Sequence, residues 1–378
     1  MRRLLPSAPV TSLRVTYHLE VEAAEAPARA AEVALEQTVE VPRSAVMDPM
    51  IEGEVMGRVE SLEADPAGGF RAVIAYPLET TALDPAQLLN VVFGNSSLHA
   101  DCRCVDLEAP IELLDAMGGP RFGIEGIRKA AGIYDRPLTC TAIKPMGLST
   151  PALADLCGTF ARGGIDVIKD DHGLADQRWS RLEERIPACL AACERAADAT
   201  GHRALYVPNL IGSPERVLRA LRFAEACGAR AVMVSPMLLG LPFFWELCQR
   251  HASVPVLAHP AFAGVLRLGP ELLFGKLLRL FGADAVIYVN FGSRFHRSRE
   301  ECARLAGYLR DPWGPMRPSM PVPAGGIQLG NAADVVSFYG TDSMLLIGGD
   351  LQKQPGAVAD RTERFVATVR SAAQRSSG

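Results

Sequence analysis

Two rhythms of apolar and polar positions succeed one another along the chain. Over residues 12–118, the alternation in SLRVTYHLEV predicts a strand and the spacing in AEAPARAAEVALEQ predicts a helix entered through Pro27. FRAVIAYPLE and QLLNVVFG both read as further strand material, so this part predicts a small α+β domain. From GGPRFGIEGIRKAAGIYDRP onward, short β-rich runs alternate with amphipathic segments, as parallel βα units do. The strand candidates are 138–144, 165–169, 204–208, 231–235, 254–259, 285–290, 320–324 and 343–347. Helices are expected at 151–162, 179–200, 214–227, 242–250, 270–281, 298–310, 331–338 and 356–375. Ser213-Pro214 and Thr150-Pro151 each place an N-cap before a proline at the first helical position. Strands that are each followed by a helix fit a closed (β/α)8 barrel better than an open sheet. The expected organisation is an N-terminal α+β domain over 1–118 and an α/β barrel domain with a C-terminal helix over 119–378.

Composition narrows the function classes. A chain of 378 residues, 48% hydrophobic and with net charge −4, can bury a large core and has no electrostatic grip on nucleic acid. A small molecule is the expected ligand. No run reaches the roughly 18 apolar residues of a membrane span, and MRRLLPSAPVTSLRV lacks the apolar core of a signal peptide. The expected setting is therefore cytoplasmic, with neither membrane nor nucleic acid as partner. The 9 cysteines are scattered except for Cys102/Cys104 and Cys189/Cys193, which fits reduced thiols better than a zinc site.

In a barrel, the residues just after each strand gather at one mouth, where such enzymes do their chemistry. Unusual polar residues do fall there: Lys144, the run Lys169-Asp170-Asp171-His172, His259, Asn290 with Arg294 beyond it, Gly325-Gly326, and Gly348-Gly349-Asp350. The two glycine pairs suit either a phosphate cradle of backbone N–H groups or a pair of tight turns. Lysine is scarce, confined to Lys129, Lys144, Lys169, Lys276 and Lys353, so Lys169 is no part of a general surface coat. An ammonium at the end of an apolar strand needs a partner or loses its charge. One reading is a salt bridge to Asp170 or Asp171. The other is a carbamate on Lys169 that, with Asp171 and His172, holds a divalent cation and leaves positions open for substrate oxygens.

The run GGIDVIKDDH resembles the metal-site motif of ribulose-1,5-bisphosphate carboxylase/oxygenase (RuBisCO), and further pieces resemble that family in the same order. They are EQTVEVP, NVVFG, GPRFGIEGIR, TAIKPMGLS, VLAHPAF, PAGGI, YGTDSMLLIGGD and PGAVADR, spread over nearly the whole chain. The resemblance implies a ferredoxin-like small domain, a TIM barrel, Mg2+ as cofactor and CO2 held as a carbamate on Lys169. It also implies a homodimer whose active sites are shared between subunits. Lys169, Asp171 and His172 would be the metal ligands, with His172 where the carboxylase has glutamate. Lys144 would handle protons during enolisation, and His259 would lie near the sugar hydroxyls and phosphate. Gly325, Gly326, Gly348 and Gly349 would bind phosphate, and Glu36 and Asn90 would come from the partner subunit.

The departures shift the expected function. IKPMGLS is one residue shorter than the carboxylase pattern and lacks its second lysine, and Arg294 stands where the mobile-loop lysine belongs. Pro260 and Ile287 replace an arginine and a histidine that the family uses at one phosphate, and Ala324 replaces a serine. A substrate with one phosphate is expected, so the chain resembles form IV, the RuBisCO-like proteins, which are not bisphosphate carboxylases. His172 is expected to let Mn2+ compete with Mg2+. The preferred reading is a decarboxylase, or a carboxylate-transferring or hydrolysing enzyme, acting on a phosphorylated 3-oxo sugar acid such as 3-oxo-isoapionate 4-phosphate. It passes through an enediolate held by the metal, and the fork of Arg294 binds the substrate carboxylate. A second reading is a methionine-salvage enolase or isomerase of a methylthio-sugar phosphate, with Phe262, Phe291 and Phe295 as an apolar wall. A third, a non-catalytic sugar-phosphate binding protein, has no need to keep Lys144, Lys169 and Asp171 together.

Overall fold

The computed structural model describes residues 12–376. The chain divides into two compact units, one holding the residues up to Gly119 with Gly264–Phe281 and Trp313–Met316, the other the remainder. The last two residues of the tail AAQRSSG lie outside the described residues.

In the first unit, β1 (Leu13–Leu19), β2 (Arg58–Ala64), β3 (Phe70–Tyr76) and β4 (Cys102–Glu108) form an antiparallel sheet in the order β2-β3-β1-β4. Alternation along β1 buries Leu13, Val15, Tyr17 and Leu19. The helices are α1 (Ala26–Glu36), α2 (Pro49–Glu54), α3 (Pro85–Phe93) and α4 (Ile111–Met117). Here QLLNVVFG proves to be helix, not strand. Asp84 caps α3 by accepting the N–H groups of Ala86 and Gln87 at 2.8 and 2.9 Å. Pro85 sits in its first turn, and Leu88, Val91 and Val92 bury one helical face. Strands β2 and β4 escape the sequence reading, β2 because it is a largely exposed edge and β4 because its buried positions include Cys102 and Cys104. Both cysteines are packed rather than poised for metal, and burial pushes the Cys102 thiol up to about 12.

The second unit carries α5 (Gly123–Ala131) and eight parallel strands. These are β5 (Leu138–Ile143), β6 (Val167–Asp170), β7 (Leu205–Val207), β8 (Val232–Val234), β9 (Val256–Ala258), β10 (Ala285–Val289), β11 (Met320–Ala324) and β12 (Met344–Leu346). Pairing runs β7-β6-β5-β12-β11-β10-β9-β8, and a bridge between Asn209 and Met233 joins the ends, giving a barrel. Its interior is a buried hydrophobic cluster including Cys140, Val167, Leu205, Val207, Met233, Leu257, Ile287, Val322 and Met344, with Ile124 and Ile127 of α5 packed into the same cluster. Each fully buried side chain of this kind contributes about 1.5–3 kcal/mol.

The helices of this unit are α6 (Thr150–Arg162), α7 (Leu182–Thr200), α8 (Pro214–Ala226), the short α9 (Pro236–Leu239) and α10 (Leu241–Glu246), and, after α11 (Leu278–Leu280) of the first unit, α12 (Arg299–Arg310), α13 (Ala332–Tyr339) and α14 (Val358–Ser376). Leu247–His251 and Glu271–Leu277 are wound as wider π-type turns. Ser213 caps α8 as expected. For α6 the cap is Ser149, one residue before the expected Thr150, whose hydroxyl instead bonds Ser180 Oγ at 2.8 Å. Among the described residues no helix is long and apolar enough to cross a membrane, and all nine cysteines are free.

Candidate active site

Strand alternation explains which polar residues reach the mouth. Val167 belongs to the interior cluster, so Lys169, two residues on, shares its inward face while Asp170 points the other way. Lys169 is in register with Ala142 of β5, and Lys144 follows two residues later on the same side. Asp170 turns instead toward the helical layer. Its Oδ2 accepts from Arg185 Nε and Asn209 N, each at 3.1 Å, and its Oδ1 accepts from Tyr206 OH at 2.7 Å. Of the two carboxylates that the salt-bridge reading offered to Lys169, Asp170 is instead taken up in a buried pair with Arg185, both side chains 0% exposed.

Lys169 is buried, and its Nζ donates to the Asp170 carbonyl oxygen at 3.0 Å. Burial is the main force lowering its pKa and favours the neutral amine. Asp171 is partly exposed, with Lys144 Nζ 3.7 Å from Oδ1 and His172 Nδ1 3.6 Å from Oδ2. Burial raises the Asp171 pKa, but the adjacent His172 and the two lysines outweigh it and hold the carboxyl well below its usual range. The His172 ring stacks on His259 with centroids 4.5 Å apart and planes 12° apart. His259 Nδ1 accepts the Ala261 N–H at 3.1 Å, and burial followed by the nearby Lys169 pushes its pKa far down. Lys144, Lys169, Asp171, His172 and His259 thus form one cluster.

The donor chemistry bears on a divalent cation. Among the described residues no three His, Cys, Asp or Glu side chains form a metal cage. Asp171 and His172 supply only one carboxylate and one imidazole, so a third donor must come from elsewhere. A carbamate on Lys169 would supply it, and burial favours the neutral amine, the form that reacts with CO2. With that modification the residues fit a hard divalent ion.

The other expected site residues divide. Gly326 has φ +73°, and a Cβ there would lie 2.6 Å from the Gly292 carbonyl oxygen, so this glycine serves a close approach of two loops. Gly325 has φ +84° and a virtual Cβ 3.3 Å from Ser293 Cβ. Gly348 faces Lys144, its virtual Cβ 3.7 Å from Nζ, and Gly349 opens to free space. Arg294 is exposed, and its guanidinium lies 4.8 Å from the centroid of the Phe295 ring. Phe291 packs on Phe338 at 4.9 Å, leaving Phe262 and Phe295 exposed at 59% and 64%. Ile287 is part of the interior cluster. In the first unit, Glu36 Oε1 accepts from Asn95 Nδ2 at 3.0 Å, whereas the Asn90 amide reaches Gln87 Oε1 at 3.4 Å.

Several participants escape the sequence reading. Asn209, after β7, donates from Nδ2 to the carbonyls of His172 and Leu174, both at 3.0 Å. Gln352 donates to the Lys144 carbonyl at 2.7 Å. The available signal for both was position, since each is an amide within a few residues of a strand end.

Comparison with known proteins matches residues 123–363 to the family of the ribulose bisphosphate carboxylase large chain, catalytic domain. The chain is 42% identical over 360 residues to "Ribulose bisphosphate carboxylase-like protein 1" of Rhodopseudomonas palustris, covering 95% of this chain and 98% of that protein. It is 39% identical over 367 residues to a 5-methylthioribulose-1-phosphate isomerase of Rhodospirillum rubrum, covering 97% and 98%. Among solved structures, a Rubisco-like protein from Rhodopseudomonas palustris superposes with TM-score 0.88 at 40% identity, over 97% of this chain and 99% of that one.

Proposed function

The chain belongs to the ribulose bisphosphate carboxylase large-chain family as a RuBisCO-like protein, and from that premise we propose that it is an isomerase of a methylthio-sugar monophosphate, with 5-methylthioribulose 1-phosphate as the substrate. The observation that carries this reading is the position of the Lys144 ammonium, 3.7 Å from Asp171 Oδ1 and 3.7 Å from the virtual Cβ of Gly348. Phosphate held at the Gly348-Gly349 turn would set the neighbouring carbons of a ketose 1-phosphate beside a group able to move a proton next to the carbonyl. Similarity over nearly the full length to a protein named as that isomerase supports the choice of substrate. Arg294, on which the decarboxylation reading rested, is exposed over Phe295 and lends that reading no support.

In this reading a carbamate on Lys169, Asp171 and His172 would hold Mg2+ or Mn2+. Forming the carbamate would join the neutral Lys169 amine to CO2 with loss of one proton; burial favours that neutral amine, and a bound cation would offset the charge of the buried carbamate. The bound cation would supply Lewis acidity to a ketone oxygen, making the adjacent C–H more acidic. Lys144 moves the proton at that carbon. His259, kept neutral, offers its free ring nitrogen to a sugar hydroxyl. The exposed Phe262 and Phe295 give the methylthio group an apolar surface. Glu36 and Asn90 are supplied by a second copy of the chain in a homodimer. The test is a substrate panel followed by NMR with Mg2+ and bicarbonate present. Conversion of 5-methylthioribulose 1-phosphate to an isomeric sugar phosphate supports the reading. Release of CO2 from 3-oxo-isoapionate 4-phosphate, with no change in the methylthio sugar, would replace it with decarboxylation.

A further inference from the structure

Asn209 is 0% exposed, yet its Oδ1 has no hydrogen-bond partner. Its Nδ2, by contrast, is fully committed, donating to the carbonyls of His172 and Leu174 at 3.0 Å each. The Asn209 backbone N–H donates to Asp170 Oδ2 at 3.1 Å. The intervening turn is closed by the Leu174 N–H on the Asp171 carbonyl at 3.0 Å. A single residue therefore grips the chain on both sides of Asp171, and a buried acceptor is left stranded to do so. An apolar side chain of the same size would spare Oδ1 its missing partner but leave the carbonyls of His172 and Leu174 without this donor, so the amide is kept for those two bonds.

We propose that Asn209 is a positioning residue that fixes the directions of Asp171 and His172 toward a divalent cation. The inference rests on the metal-dependent reading above. Outer groups that orient metal ligands typically change metal affinity about 10–100-fold when removed. The test is Mn2+ titration of the full-length protein, pre-incubated with bicarbonate and followed by electron paramagnetic resonance, with circular dichroism to verify folding. Asn209→Ala is expected to weaken Mn2+ binding about 10–100-fold. Asn209→Asp, nearly isosteric but presenting an oxygen to two carbonyls, is expected to weaken it at least as much. Asn209→Ser keeps one donor, is the milder variant should the others fail to fold, and is expected to fall between wild type and Asn209→Ala. Folded Asn209→Ala and Asn209→Asp proteins that bind Mn2+ as tightly as wild type would overturn the inference while leaving the metal reading intact; if neither folds, Asn209→Ser with wild-type affinity would do the same. Wild-type protein that binds no Mn2+ would overturn both.

Discussion

Replacing Arg185 by Met leaves the Asp170 carboxylate buried without its counter-charge, directly beneath the residues of the mouth. Both side chains are 0% exposed and joined at 3.1 Å, so solvent cannot take over the lost partner. Breaking such a pair from one side costs about 3–5 kcal/mol. With a urea slope of about 3 kcal/mol/M, the unfolding midpoint falls by about 1–1.7 M. The pH dependence identifies the cause. Burial already raises the Asp170 pKa, and Arg185 is the leading force opposing that rise. Without Arg185 the folded-state pKa climbs further. A carboxyl whose folded pKa is raised contributes stability that is present at low pH and lost as pH rises through that value. The variant should therefore lose more stability at pH 8 than at pH 5. Urea unfolding followed by circular dichroism at both pH values, for Arg185→Met, Asp170→Asn and the double variant, measures the effect. The double variant should recover at least about 2 kcal/mol relative to the sum of the single changes. A loss below about 1 kcal/mol in Arg185→Met, equal at the two pH values, would refute the reasoning.

Arg294→Ala is expected to change kcat/KM on 5-methylthioribulose 1-phosphate by less than about threefold, below about 0.7 kcal/mol; a hundredfold loss would return Arg294 to the substrate. Gly326→Ala should lower thermal stability, because its Cβ would collide with the Gly292 carbonyl at positive φ, whereas Gly349→Ala, facing open space, should raise KM for the phosphorylated substrate without lowering the melting temperature. Asp284 accepts the N–H groups of Phe122, Gly123 and Val256, yet burial raises its pKa to about 6. The wild type should accordingly lose about 3 kcal/mol of stability as pH rises from about 4 through 6. Asp284→Asn should abolish that slope in urea unfolding measured across the same range, and an unchanged slope would place the titration elsewhere.

Much of the barrel is legible in the sequence because each strand is a short apolar run at the spacing of βα units, and the resulting mouth gathers Lys144, Lys169, Asp171, His172 and His259 as expected. The misreadings have physical causes. QLLNVVFG is apolar almost throughout, so its period is ambiguous, and the decisive signal was the Asp84-Pro85 start beside it. Asp170 looked equivalent to Asp171 because the two are adjacent, but side chains alternate along a strand, and Arg185 fifteen residues away claims Asp170. Gly326, expected in a phosphate cradle, also makes room for the loop after β10, a contact no local pattern encodes. Asn209 left no motif at all, because its role is defined by two backbone carbonyls on a neighbouring loop.

The most direct test of the account is proton exchange in 5-methylthioribulose 1-phosphate dissolved in deuterium oxide, with Mg2+ and bicarbonate present. Proton NMR should show deuterium entering at a carbon next to the carbonyl as the isomer accumulates. Exchange should fall at least about a hundredfold in Lys144→Met and in Lys169→Ala, each otherwise folded. Wild-type protein that leaves every carbon-bound proton in place, or folded Lys144→Met and Lys169→Ala variants that exchange as fast as wild type, would contradict proton transfer at this site.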